Sequence, residues 1–286
     1  MSNQISTAFV NQFSSNVQML SQQMGSVLRS CVDVESVTGE KAFFDQVGSS
    51  AAVLKTSRHA DTPLVETPHS RRMVTMSDYE WADLIDDADK VRLLADPTSS
   101  YSKAASAAMG RAMDDVIIAA ALGDSKTGKD GSTTTAFAAG NIIAHGSAGL
   151  TVAKLLSAKE LLDAADVDPS IKRYIVCAPK QITDLLNTTE VKSSDFNTVK
   201  ALAQGSINSF CGFEFKISNR LTTSSSNRQV IAFAMDGVKL AIGSEPQARI
   251  DERADKSYST QVFYSQSIGS TRMEEAKVVS ILCQES

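Results

Sequence analysis

The apolar residues of the first 34 positions follow a heptad-like spacing. They fall alternately three and four residues apart, at Val10, Phe13, Val17, Leu20, Met24, Val27, Cys31 and Val34. On a helix this spacing places all of these side chains on one side, so it predicts a helical arm with a continuous apolar seam. Because such a seam needs a partner surface, we take Phe13, Val17, Leu20 and Met24 as candidate subunit contacts.

After Gly48 the pattern changes to two short apolar runs, at 51–54 and 72–76. They flank polar sequence that contains Pro63 and Pro68. Each proline restricts itself and its predecessor to extended geometry, so the pattern predicts an extended hairpin that cannot bury itself alone. The hairpin is locally basic, and its candidate contact residues are Lys55, Arg58, Arg71 and Arg72.

An acid-rich stretch follows the hairpin. Trp81, Leu84, Ile85 and Ala88 have helical spacing after a possible cap at Ser77, so we expect a helix with a solvated acidic face. A divalent metal site is the alternative, but the glycine and terminal glutamate of a calcium loop are missing. We expect the acidic face to meet a neighbour's basic hairpin, through the candidates Asp83, Asp86 and Asp87.

The next segment predicts one long helix over residues 99–122. Asp96 and Pro97 precede it, and Gly123 is its stop signal. Its many alanines, together with Gly110, leave a surface that other backbones can approach closely. The helix is expected to act as a spine.

Gly123, Gly128 and Lys129 have the spacing of a phosphate-binding loop. The position that should hold a magnesium-binding Ser or Thr is Asp130, and the segment leaves a helix instead of a strand. We therefore expect an exposed loop here, with a nucleotide-binding enzyme as a minor alternative.

The second half of the chain predicts shorter elements. Two of its strands are joined by Asp236-Gly237, a strong hairpin signal. Helices are expected at 152–165, 179–186 and 196–203, and strands at 171–177, 213–217, 230–235, 238–242, 260–265 and 277–283. The class is therefore α+β, with mostly antiparallel sheet.

Composition excludes several functions. The net charge of −5 gives no general attraction to nucleic acid, and no stretch approaches the roughly 20 apolar residues of a membrane span. The arm lacks the basic start and compact apolar core of a signal peptide, so we expect a soluble, cytoplasmic product. Four scattered cysteines and three histidines form no metal or redox motif, and no GxSxG sequence is present. We expect no catalytic residue, cofactor or metal.

The order of these segments resembles that of the tailed-phage major capsid proteins, which share the Hong Kong phage capsid fold. The resemblance covers essentially the whole chain. Its segments are ADPTSSYSKAASAAMGRAMDDVIIAAALG, RYIVCAPKQITDLL, GFEFKISNRL, QVIAFAMDGVKLAI and ARIDERADKSYSTQVFYSQSIGSTRMEEAKVVSILC.

The resemblance implies a division into five parts. They are an N-terminal arm (1–48), an extended loop (49–76), a peripheral domain (77–175) with the spine helix (99–122), an axial domain (176–242) and returning peripheral strands (243–286). The charged strand 249–256 adds the candidate contacts Arg249, Asp251, Glu252 and Arg253.

The resemblance also implies a function. Hexamers and pentamers would tile an icosahedral virion shell that encloses double-stranded DNA without sequence-specific binding. Scaffold, portal and decoration proteins would be partners, no membrane would be involved, and synthesis would take place in the host cytoplasm. A related nanocompartment shell that encloses cargo enzymes is the main alternative.

Overall fold

The fold is seen in a computed structural model, which describes residues 22–59, 61–85, 98–187, 209–224 and 226–285. These residues group into two compact units. The smaller unit holds residues 22–26, 78–85, 98–112 and 244–266, and the larger unit holds the remainder. Each unit is assembled from segments that are far apart in sequence, so no single linker separates them.

Within the described residues the chain forms three α-helices and fifteen β-strands. The helices are α1 (Thr98–Leu122), α2 (Val152–Ala164) and α3 (Pro179–Asn187). The strands are β1 (Asp33–Ser36), β2 (Lys41–Val47), β3 (His69–Thr75), β4 (Ser77–Ile85), β5 (Ser125–Thr127), β6 (Thr133–Thr135), β7 (Ile142–Ile143), β8 (Arg173–Cys177), β9 (Ser209–Phe210), β10 (Phe213–Ile217), β11 (Thr223–Ser224), β12 (Asn227–Ala234), β13 (Val238–Arg253), β14 (Ser259–Arg272) and β15 (Val278–Gln284). This mixture confirms the predicted α+β class.

Helix α1 confirms the helix predicted over residues 99–122 and ends at Leu122, directly before Gly123. Its 25 residues span about 37 Å. In the smaller unit its first half packs on β14, where the Gln266 amide donates to the Met109 carbonyl oxygen at 3.1 Å. The Ser102 and Tyr264 hydroxyls lie 2.6 Å apart in the same unit. Polar contacts from β14 therefore hold this half of the helix to the sheet.

The larger unit is built on a seven-stranded sheet. Its strands lie in the order β7-β15-β12-β8-β10-β9, with β11 beside β12. Helices α2 and α3 bury Leu155, Leu162 and Leu185 in one core cluster with Ile175 and Val279 from the sheet. The helices expected at 152–165 and 179–186, and the strands at 171–177 and 213–217, are confirmed to within two residues.

A buried lysine fastens α2 to its surroundings. Thr151 caps this helix, since its hydroxyl accepts from the Lys154 amide at 3.4 Å. The Lys154 ammonium donates to the carbonyl oxygens of Ala148, Gly149 and Leu282, at 2.8, 2.7 and 3.1 Å. Burial lowers the pKa of this ammonium. Main-chain oxygens thus compensate for part of the water that Lys154 loses.

A four-stranded sheet, ordered β2-β3-β5-β6, carries the extended hairpin. Strands β2 and β3 pair antiparallel from Lys41↔Thr75 to Val47↔His69, and the Gly48 amide then donates to the Pro68 carbonyl oxygen at 2.8 Å. The hairpin is therefore confirmed, but its first strand is β2 and not the predicted run 51–54. Between Gly48 and Pro68 the described residues contain no strand.

The helix predicted after Ser77 is wrong, because this segment is strand β4. Exposure along it follows a two-residue period, with Glu80, Ala82 and Leu84 exposed and Trp81 and Ile85 more buried. β4 lies beside the long strand β14 in the smaller unit. The apolar spacing of this segment fits the period of a helix as well as the two-residue period of a strand. Hydrogen bonding to β14 selects the strand.

The predicted hairpin at Asp236-Gly237 is also wrong. β12 pairs with β8, β11 and β15, whereas β13 pairs with β1 and β14 in another sheet. A two-residue hairpin of the expected type needs a positive φ at both central positions, and neither Asp236 nor Gly237 has one. Residues Met235–Gly237 form a 3-10 turn that leads the chain out of one sheet and into the next.

The described end of the predicted arm is not helical. Met24 is 61% exposed in irregular chain, Arg29–Cys31 forms a single 3-10 turn, and Val34 belongs to β1, which runs parallel to β13. The helix predicted through Val34 is therefore wrong in this part. Val10, Phe13, Val17 and Leu20, and the helix predicted at 196–203, lie outside the described residues.

The four cysteines are free thiols, as expected from their spacing. Cys31, Cys177 and Cys283 are buried, whereas Cys211 is only half-buried, in the tight turn between β9 and β10. Burial raises the pKa of Cys177 to about 12 and that of Cys283 to about 11. These two thiols are therefore protonated and unreactive at neutral pH.

Two arginines and one glutamate join the end of α1 to β3 and β14. The Arg272 side chain is fully buried and donates to the carbonyl oxygens of Ala121 and Gly123, at 3.2 and 2.5 Å. Its second terminal nitrogen lies 3.6 Å from Glu275, which also accepts from Arg72 at 2.7 Å. The pKa of Arg272 is lowered chiefly by burial. The guanidinium also satisfies carbonyls at the negative end of the helix dipole.

We predict that Arg272→Met destabilises the unassembled subunit by about 3 kcal/mol, because it leaves the buried carbonyl oxygens of Ala121 and Gly123 without this donor and leaves Glu275 with Arg72 as its remaining cationic partner. The measurement is the urea midpoint followed by circular dichroism. Arg249→Met is the matched control, since Arg249 is exposed and should change stability by less than about 0.5 kcal/mol. Equal midpoints for the two variants would contradict the role given to Arg272.

Candidate assembly surfaces

The extended loop between Gly48 and Pro68 carries several large apolar side chains that are exposed to solvent. Leu54 is 84% exposed and Leu64 is 96% exposed, and Val53 and Val65 are also exposed. Two prolines hold parts of this segment extended, and the hydrogen bond between Gly48 and Pro68 closes its base. Clustered exposed apolar residues of this kind are typical of protein contact surfaces.

The basic candidates of the hairpin divide into two groups. Lys55 and Arg58 are exposed in the loop. Arg71 is held in its own chain, because its guanidinium donates to both Asp45 oxygens, at 2.5 and 3.0 Å, and lowers the pKa of that carboxyl. Arg72 is buried and donates to the Met273 carbonyl oxygen at 2.7 Å as well as to Glu275. The prediction that Arg72 contacts a neighbouring subunit is therefore wrong, because its guanidinium is used within its own chain.

The acidic candidates are only partly described. Asp83 is half-buried on β4, and its carboxylate accepts from the following Leu84 amide at 2.8 Å. Asp86 and Asp87 lie outside the described residues. On the exposed side of β4, Glu80 and the neighbouring Asp78 present carboxylates that the sequence analysis had not selected. If this segment had been interpreted with the two-residue period of a strand, Glu80 would have been predicted to lie on its exposed side.

The distal ends of β13 and β14 form a charged ribbon in the smaller unit. Arg249, Asp251, Glu252 and Arg253 are all exposed there. Arg253 donates to both oxygens of Asp255 at 2.7 Å, which lowers the pKa of Asp255 to about 2. Part of the charge of this ribbon is therefore neutralised within the chain.

The tip of the ribbon has a feature that sequence reasoning missed. Ser257 and Tyr258 both have left-handed backbone conformations, with φ of 53° and 61°. Each such residue costs roughly 1–2 kcal/mol relative to the right-handed conformation. Tyr258 is nevertheless 63% exposed, so its ring gains little from packing in this chain. Apart from an aromatic residue among charges, no sequence signal marks this position.

Residues 22–26 of the arm lie on helix α1 within the smaller unit. Arg111 donates to the Gln22 side-chain oxygen at 3.0 Å and to the Gln23 carbonyl oxygen at 3.1 Å. Gly110 faces the backbone of Gly25, which occupies the space that a side chain at position 110 would need. The absence of a side chain at Gly110 thus allows residues 22–26 to lie directly on the helix.

The segment with phosphate-loop spacing is a β-hairpin and not an irregular loop. Gly128, with φ of 90°, and Lys129 lie in the turn between β5 and β6, and the element that directly follows them is strand β6 and not a helix. The cradle of amides at a helix N-terminus is therefore not built here. Among the described residues no group of His, Cys, Asp or Glu could hold a metal ion, and no helix is long and apolar enough to cross a membrane.

A family model described as phage capsid protein matches residues 5–285. The chain belongs to the phage capsid protein family. Among solved structures, the capsid of cyanophage P-SCSP1u matches with a TM-score of 0.77 and 17% identity, over 99% of this chain and 95% of that one. The capsid of Ralstonia phage GP4 matches with a TM-score of 0.75 and 11% identity, over 97% and 96%.

The capsid of a native gene transfer agent particle gives a TM-score of 0.71 at 13% identity, over 97% of this chain and 96% of that one. No curated protein sequence matches this chain. The likeness confirms the tailed-phage capsid fold, and the family makes the chain a structural capsid shell protein of a virion. The surfaces of this capsid protein are therefore of interest as contacts between subunits.

We predict that Gly110→Ala detaches residues 22–26 from helix α1, because the added methyl group would overlap the Gly25 backbone. Limited digestion with subtilisin should then cut this segment at least several-fold faster, as mass spectrometry would show. Gly140→Ala is the control, since a side chain at that position meets no atom within 4 Å. Unchanged cleavage in Gly110→Ala would mean that the segment does not depend on this contact.

Proposed function

We propose that this capsid protein assembles as hexamers and pentamers into an icosahedral phage head that encloses double-stranded DNA. The observation that carries this proposal is the exposed apolar loop, in which Leu54 and Leu64 have almost no contacts within the subunit. Such surface is costly in water and is stabilised when a neighbouring subunit covers it. The family and the fold of the similar capsids support the same conclusion.

The proposed roles follow the five-part division of the chain. The arm (1–48) and the extended loop (49–76) would reach neighbouring subunits. The peripheral domain (77–175) with the returning strands (243–286) would form the body of the shell, and the axial domain (176–242) would surround the symmetry axes. The net charge of −5 favours a container that encloses DNA without binding it tightly.

Other partners belong to the same proposal. A scaffold, a portal and decoration proteins would act with the shell, and synthesis would take place in the host cytoplasm. The contacts between subunits would include Met24, Lys55, Arg58, Arg249, Asp251 and Glu252, which are exposed in the unassembled chain. They would also include Phe13, Val17, Leu20, Asp86 and Asp87.

We predict that the purified full-length chain forms closed shells, or rings of five or six subunits. Sedimentation velocity would detect them, and electron microscopy of the fast fraction would show their symmetry. Particles expressed with the other phage components should also contain nuclease-protected DNA. A chain that stays monomeric even with its scaffold would contradict the proposal. Particles that contain enzymes and no DNA would favour a nanocompartment, and binding of ATP by the monomer would favour a nucleotide-binding protein.

We also predict that Lys55→Glu combined with Arg58→Glu weakens assembly without unfolding the subunit. Each exposed ion pair contributes only about 0–1 kcal/mol, but a shell repeats each contact in every subunit. The measurement is the protein concentration at which particles appear, with circular dichroism to verify folding. Lys159→Glu with Lys172→Glu makes the same change in net charge at exposed sites outside the loop. If both pairs act equally, net charge alone explains the effect.

A further inference from the structure

The distal half of strand β13 has one open edge. β14 lies on one side of this strand, and β1 covers the other side only at residues 239–242. Every residue of β13 from 245 to 253 is exposed, and no other strand that the structure describes pairs with this edge. A strand edge presents a row of backbone donors and acceptors, so this one can accept a strand from another chain.

The alternation of the backbone along β13 shows which residues face the open edge. The Arg253 carbonyl oxygen accepts from the Tyr258 amide at 3.0 Å, on the side of β14. The Ile242 carbonyl oxygen accepts from the Val37 amide at 2.9 Å, on the opposite side, next to β1. Neighbouring residues of a strand direct their backbone groups to opposite edges. The even-numbered residues from 244 to 252 therefore face the open edge.

Pro246 limits the part of this edge that can pair. It is an even-numbered residue, so its missing N–H lies on the open edge, which is where a strand tolerates proline. A pairing strand can use the backbone groups of the next three even-numbered residues, Ala248, Ile250 and Glu252. Ile250 is the central one and is 49% exposed. Because this segment is short, its side chains decide which strand pairs with it and in which register.

The charges of this segment are complementary to a second copy of the same segment. When two β13 edges are placed antiparallel with Ile250 opposite Ile250, Arg249 of each copy lies opposite Asp251 of the other. Pro246 then lies opposite Ala254, which follows the last residue of the strand, so no ladder hydrogen bond is lost there. No ion pair joins Arg249 or Asp251 to another residue that the structure describes, so both side chains are available to a partner.

The neighbouring registers of this pairing bring like charges together. With the two-fold axis at residue 249 or 251, Arg249 or Asp251 lies opposite itself, and with the axis at 252, Glu252 does. With the axis at 248, Glu245 lies opposite Asp251. An axis between two residues is excluded, because opposite residues in a ladder direct their backbone groups alike. Cross-strand repulsion therefore selects the register centred on Ile250.

We infer that the β13 strands of two copies pair antiparallel across a two-fold axis at Ile250, with Arg249 of each copy beside Asp251 of the other. The two isoleucines meet on one face of the joint ladder, and the ion pairs form on the opposite face. This inference rests on the proposed shell function. Neighbouring subunits within a ring are related by a five-fold or six-fold rotation, whereas a surface that pairs with itself needs a two-fold axis. The joined strands therefore belong to two adjacent rings of the shell.

The direct test places one cysteine at a time along the strand, in a chain that carries Cys211→Ser to remove the half-buried thiol. In the inferred ladder the two copies of residue 250 lie about 5.5 Å apart between their Cα atoms, a separation that a disulfide can span. Particles assembled from Ile250→Cys are oxidised and then denatured without reductant. We expect a disulfide-linked dimer on the gel.

Ala248→Cys and Glu252→Cys are the matched controls, since both positions are exposed on the same face of the same strand. Across the axis each position lies opposite the other and roughly 14 Å from its own copy. Neither control should link alone, whereas particles that contain both chains should link one to the other.

Linking of Ile250→Cys no stronger than that of either single control would overturn the inference and leave the proposed shell function intact. If the unmodified chain forms neither particles nor rings under any condition, the proposed function fails, and this inference fails with it.

A second measurement reverses the charges. Arg249→Asp places like charges at both cross-strand positions, so the protein concentration needed for assembly should rise about tenfold. Adding Asp251→Arg to the same chain rebuilds both ion pairs in the opposite sense and should restore assembly. Lys172→Asp is the control, because it makes the same change in net charge at an exposed site outside this strand. An Arg249→Asp chain that assembles like the Lys172→Asp chain, or a double variant without recovery, would overturn the inference.

Discussion

The fold of the larger unit depends on how a fully buried positive charge is accommodated at the C-terminal end of helix α1. Arg272 brings that charge to the last carbonyl oxygens of α1, and Glu275 links it to Arg72 on β3. Two guanidinium groups share one carboxylate, so main-chain oxygens supply the remaining compensation. The position of the extended hairpin relative to the helix end therefore depends on a few polar contacts and not on apolar packing alone.

The buried charge of Lys154 on helix α2 is accommodated in the same way, by main-chain oxygens. Its ammonium is surrounded by three carbonyl oxygens, from the loop before α2 and from β15. In both cases a long cationic side chain connects segments that are distant in sequence. Such bonds are directional, so they fix how an element is oriented as well as where it lies.

Sequence patterns predicted the elements whose signals are local. The alanine-rich spine, helices α2 and α3 and strand β10 have one clear period each and match the structure closely. The errors fall where distant pairing decides. β4 could form a helix by its apolar spacing but pairs with β14, and Asp236-Gly237 has the composition of a hairpin turn but connects two sheets. The burial of Arg72 could not be predicted for the same reason, since its partners Met273 and Glu275 lie 201 and 203 residues later in the chain.

The candidate surfaces also divide into features with a local sequence signal and features that depend on pairing between distant segments. The prolines indicated an extended segment, but the apolar run 51–54 within it was wrongly predicted to be a strand, because the strand that pairs with β3 is β2, which precedes Gly48. The ribbon tip could not be predicted, since the conformation of Tyr258 follows from the way β13 and β14 meet.

The four thiols of this chain differ greatly in chemical accessibility. Three are shielded by the core, and the pKa values of Cys177 and Cys283 suppress their thiolate forms. Cys211 lies in a turn at the edge of the seven-stranded sheet, where reagents can reach it more easily. Burial raises the pKa of Cys211 too, so its advantage over the other three thiols is access and not a free thiolate. A maleimide dye added to the native protein at mildly alkaline pH should therefore attach first at this one site per subunit, which would give a particle of this protein a regular array of chemical handles without any engineered residue.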